Sequence, residues 1–157
     1  MKSNYSRHFI IACICASAVL GSKTAAAQSG PTPCGLLTSG QVTAVVGVSV
    51  GAAQPIANTG CSWSAPHMIV TVSLWDGNKW DQLKAPLPGA NRSSVSGLGD
   101  DAFYTTLGPA SGKQIATLTV KKGSTAYLIK VYGPSVTEQM SMEKALAGSV
   151  LTKLSGG

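Results

Sequence analysis

Ile115-Ala116-Thr117-Leu118-Thr119-Val120-Lys121-Lys122-Gly123-Ser124-Thr125-Ala126-Tyr127-Leu128-Ile129-Lys130-Val131-Tyr132 reads as two strands and the turn between them. Side chains alternate faces along a strand. Ala116, Leu118 and Val120 therefore share one face of the first strand, and Tyr127, Ile129 and Val131 share one face of the second. Lys122-Gly123-Ser124 is the turn, short enough to force an antiparallel hairpin. Downstream, Gly133-Pro134 breaks the chain and Ser135-Val136-Thr137-Glu138 forms a capping box. A helix is predicted from there to about Leu154. Val136, Met140, Ala147, Val150, Leu151 and Leu154 form its apolar stripe, and Gly156 stops it.

Upstream, Ala102 to Leu107 reads as a strand entered through Gly97-Leu98-Gly99-Asp100-Asp101. Cys61–Ser64 and Met68–Trp75 are two further strand patterns around Ala65-Pro66-His67. The second carries apolar residues on both faces, which predicts a central position. Asn78 can cap a short helix through Leu83 with Trp80 on its inner side. Thr38 and Gln41 make an earlier capping box, with Val42, Val45 and Val46 as its stripe and Gly47 as a left-handed stop. Val48–Asn58, interrupted by Gly51 and Pro55, reads as a loop or a short edge strand. Ala85–Gly97, rich in Pro, Gly and Ser, reads as the longest irregular stretch. The sum is an α+β domain: an antiparallel sheet of about four to five strands with N-terminal and C-terminal helices packed on it.

The chain begins with an address. Lys2 and Arg7 precede a short apolar run, Phe9–Leu20, and Ala25-Ala26-Ala27 is a small-residue cleavage signal, so residues 1–27 read as a secretory signal peptide cut before Gln28. The run of roughly 12 residues falls short of the about 20 that a membrane-crossing helix needs. Ile10-Ile11-Ala12-Cys13 offers a lipid-anchoring alternative at Cys13. The apolar segment ahead of it is too short, so export without an anchor is the expectation. Removing Lys2, Arg7 and Lys23 lowers the net charge from +6 to about +3. What basicity remains is scattered, and a nucleic-acid surface would need it clustered. Residues 28–33 read as a flexible lead and 34–157 as a single domain of ordinary size. Of the 4 cysteines, Cys34 and Cys61 survive cleavage. In an oxidising compartment the default is a disulfide between them.

Motifs for chemistry are sparse. His67 is the sole histidine of the mature chain and sits in a proline turn, without the partners that a hydrolytic triad or a zinc site requires. Asp100-Asp101 lacks the spaced oxygen ligands of a calcium loop and reads as turn chemistry. Gly97-Leu98-Gly99 precedes a strand, where a dinucleotide fingerprint would open a helix. No catalytic, cofactor-binding or metal-binding residue is assigned, and the chain reads as a non-enzyme.

Pro33-Cys34-Gly35-Leu36-Leu37-Thr38 ahead of a helix that ends at Gly47, then Cys61-Ser62-Trp63, then Val95-Ser96-Gly97-Leu98-Gly99-Asp100-Asp101-Ala102, resembles the bacterial exported proteins and lipoproteins grouped as domain of unknown function 3558. The similarity runs from about Pro33 to Leu154. It implies export and paired cysteines and supplies no mechanism. Cys13 is poorly placed for the lipid anchor that many members carry.

These readings lead to a periplasmic or secreted, non-catalytic domain that binds an unknown protein or other component of the cell envelope. An inhibitor of an exported hydrolase is the alternative, since a preordered loop lowers the ordering cost of binding. Trp63 is assigned to the core beside Cys61. Trp75 and Trp80, bordered by Lys79, Lys84 and Arg92, are the candidate partner-binding surface, because Trp and Arg are enriched at binding hot spots.

Overall fold

Thr38 opens the first helix, α1 (Ser39–Val46), as the sequence predicts. Its hydroxyl accepts from the Gln41 backbone N–H while the Gln41 side chain accepts from the Thr38 N–H, and Gly47 closes the helix at φ 76°. The structure, a computed structural model, describes residues 31–109 and 113–156. The readings of a signal peptide over 1–27, of cleavage before Gln28 and of Cys13, and residues 28–30 of the lead, lie outside the described residues.

Seven strands follow α1, all paired antiparallel: β1 (Gln54–Ile56), β2 (Gly60–Ala65), β3 (Met68–Asp76), β4 (Ala90–Ser94), β5 (Asp101–Leu107), β6 (Ile115–Lys122) and β7 (Thr125–Tyr132). Two helices complete the set, α2 (Trp80–Leu83) and α3 (Val136–Ser155). The fold is α+β, and the sheet has seven strands where about four to five are expected from the sequence. The two weakly signalled strands are the edges. β1 is exposed along its length and contains Pro55, and β4 lies within the stretch read as irregular. An edge strand buries little, so it lacks the apolar alternation by which strands are recognised.

The spatial order β1-β2-β3-β7-β6-β5-β4 joins two meanders. The first three strands form one and the last four the other, sealed along β3 and β7 over eight register pairs from Ile69↔Tyr132 to Asp76↔Thr125. β3 is thus central, as its two apolar faces imply. One sheet face carries Trp63, Val70, Val72, Leu118, Val120, Tyr127 and Ile129, all fully buried, and α3 and α1 pack onto it. Cys34 is bonded to Cys61 across 27 positions, tying the start of the domain to β2. Gly99 lets the chain hug the sheet: at φ 59° a Cβ there would lie 2.2 Å from the Lys121 carbonyl oxygen.

α3 does more than cover the core. Its capping box at Ser135 and Glu138 forms as the sequence predicts, but its buried face includes Gln139 and Glu143, which the apolar stripe omits. The pairing of β6 with β7 runs from the Lys122↔Thr125 end only as far as Leu118↔Ile129, and beyond it the strands part. Gln139 accepts from the Ala116 N–H at 2.9 Å and Glu143 accepts from the Val131 N–H at 2.9 Å. These two side chains, four residues apart on one helix face, replace the next rung of the ladder.

Candidate functional site

The open face of the sheet follows from the same alternation that builds the core. Ile69, Thr71, Ser73 and Trp75 of β3 point away from α3, as do Leu128 and Lys130 of β7, Thr117 and Thr119 of β6, and Phe103, Thr105 and Leu107 of β5. The connection from β3 to β4 must travel from the middle of the sheet to its far edge, and it does so across this face. It starts where Gly77 N–H bonds the Ser124 carbonyl, beside the β6–β7 turn. It ends at Ala90, which pairs with Leu107 at the other end of β5. Residues 77–89 therefore form a diagonal strap.

Three side chains pin that strap. Trp80 is buried against Phe103, ring centroids 5.4 Å apart and tilted by 55°. Its indole N–H donates to Asp101 Oδ2 at 2.9 Å, and Lys84 reaches the same oxygen at 3.0 Å. The Lys84 and Trp80 hydrogen bonds hold the Asp101 carboxyl below its ordinary range. Arg92 of β4 lies 4.5 Å above the Phe103 ring centre. Its guanidinium donates to the carbonyls of Leu83 (3.3 Å), Lys84 and Ala85 (3.0 Å). A planar fork with several donors suits this task, because one group closes a whole turn of backbone.

Beneath the strap lies a groove of about 340 Å³. Its wall is Gln82, Leu83, Ala85 and Leu87 from the strap. Its floor is Phe103, Thr105, Thr117, Thr119 and Leu128, and Trp75, Lys79, Leu107 and Lys130 stand around it. Trp75 is 49% exposed and Leu87 53% exposed, unusual values for such large apolar side chains gathered at one place. No carboxylate lines the groove, and among the described residues Lys79 and Lys130 have no ion-pair partner.

The five residues expected to form a partner surface thus divide. Trp75 and Lys79 face the groove. Trp80, Lys84 and Arg92 fasten the wall that encloses it. Sequence reasoning did not gather Thr105, Thr117, Thr119, Leu128 and Lys130, although the off-core positions of the hairpin were legible as the alternate set. What lies over that set is a matter of topology. Elsewhere, His67 is an exposed turn residue at φ 62°. Asp100 accepts from the Gly123 N–H at 2.6 Å. That bond, ahead of Lys122, lowers its pKa and ties the glycine-rich turn to the hairpin.

Compared with known protein families, with curated proteins and with solved structures, the chain finds no match.

Proposed function

We propose that this is an exported, non-catalytic binding domain whose contact site is the strapped groove on the open sheet face, and that it takes up a component of the cell envelope there. The observation that carries this reading is the groove itself, where apolar side chains and two uncompensated lysines converge under a pinned connection. Ligand sites are concave and largely apolar with a few convergent polar groups, typically of about 300–1,000 Å³, and this one falls in that range. The Cys34–Cys61 bond fits an oxidising compartment, as do the leader-like residues 1–27 and the resemblance to domain of unknown function 3558. Among the described residues no helix is long and apolar enough to cross a membrane.

The test is retention of components from an envelope extract of the host by the purified domain, read by mass spectrometry. The wild type is compared with the double variant Trp75→Asp and Leu87→Asp. Both positions are exposed, and thermal unfolding of the variant is the control for its folding. The variant should lose what the wild type retains, and the retained compound should be recovered chemically unchanged. Equal retention by both proteins would remove the groove as the site.

A further inference from the structure

We infer that the groove binds a small amphipathic anion, an apolar chain ending in a carboxylate, with the chain between strap and sheet and the headgroup at Lys130. The inference rests on the groove being the binding site and names what it takes. The apolar part follows from the walls. Leu87 on the strap and Trp75 and Leu107 on the sheet are exposed around the half-buried Leu128, and a chain laid along them removes their apolar surface from water. The Trp80 and Arg92 attachments fix the strap's position on the sheet.

The sign of the headgroup follows from the charges. Both ionisable side chains that line the groove are lysines, and neither has an ion-pair partner among the described residues. The acid closest in effect to Lys130 is Glu143, which enters the β6–β7 fork from the helix side. Burial raises its pKa to about 8, against smaller opposing effects of the Val131 and Leu118 backbone and of Lys130. At neutral pH that carboxyl is protonated and leaves the lysine charge uncancelled. Thr117, beside the fork, and Thr105, its register partner on β5, bring two hydroxyls to the same region. Hydroxyls beside an ammonium suit an oxyanion. A cationic headgroup would meet a lysine with nothing to balance it.

Calorimetric titration of the purified domain, residues 28–157, with dodecanoate, dodecanol and dodecyltrimethylammonium tests this below the micelle-forming concentrations. Dodecanoate should bind, dodecanol should bind about tenfold more weakly, and the cation should bind weakest. Lys130→Glu should weaken dodecanoate by more than tenfold and leave dodecanol within about twofold. Its thermal unfolding serves as the folding control, and Lys130→Arg should retain the preference for the anion. Equal affinity for all three chains, or dodecanoate binding that Lys130→Glu leaves unchanged, would overturn the inference. Absence of dodecanoate binding would also overturn it. In that case loss of envelope-component retention in the Trp75 and Leu87 variant would still uphold the groove as the site, and intact retention would sink both readings.

Discussion

Glu143 shows what a single side chain does in this protein. It is fully buried, one oxygen serves the Val131 N–H and the other has no partner. A buried carboxylate with an empty oxygen is costly, so the group holds its proton up to about pH 8 in the folded chain. Unfolded, it titrates near its ordinary value of 4.5. The folded state therefore binds more protons between these values, and stability falls as pH rises through that window. Thermal unfolding across the range should show a declining melting temperature for the wild type. Glu143→Gln, which keeps the acceptor and cannot ionise, should show a much flatter profile there. Asp100 and Asp101 have lowered pKa values and act oppositely, contributing stability that is lost only as pH falls through the acid range. Tyr127 offers a simpler case. Its hydroxyl donates to the Ala147 carbonyl at 3.1 Å inside the core, and Tyr127→Phe should cost about 1 kcal/mol in chemical denaturation.

Among the elements, the strap is the one whose making and breaking can be seen separately from the fold. Few of its residues are buried, and three attachments hold it: the Trp80 indole on Asp101, the Lys84 ion pair, and the Arg92 fork on three consecutive carbonyls. The exposed Lys84–Asp101 pair is worth little on its own. Arg92 carries more, through hydrogen bonds and its position over Phe103. Arg92→Ala should leave the far-UV spectrum unchanged and accelerate limited proteolysis within residues 84–89 several-fold. Arg92→Lys should not restore protection, since an ammonium cannot span three carbonyls. The two capped helices behave differently. The Ser135 box, with Glu138 held in its ionised form by the Ser135 hydroxyl and N–H, was legible because caps are local chemistry. Its removal in Ser135→Ala should cost about 1 kcal/mol.

For the molecule as a whole, the staple and the sheet order matter most. Joining residues 27 positions apart stabilises a domain of this size by about 3 to 4 kcal/mol in the chain-entropy account. Cys61→Ser should lower the denaturation midpoint accordingly, and the retained compound should still bind at temperatures where the variant is folded. What the amino-acid sequence determined alone is everything governed by neighbours a few residues away. That includes the caps at Thr38 and Ser135, the β6–β7 hairpin with its two faces, and the two apolar faces that make β3 an interior strand. Tertiary structure decided the rest. β4 exists because β5 offers it a free edge, not because Ala90–Ser94 has a strand pattern of its own. Gln139 and Glu143 are buried because β6 and β7 part and leave N–H groups to satisfy. Trp80 and Arg92 became fasteners, and Lys130 a groove residue, only when β7 folded back beside β3. That order forced the connection from β3 to β4 across the sheet, and a groove made by chain segments crossing at a distance leaves no local mark in the sequence.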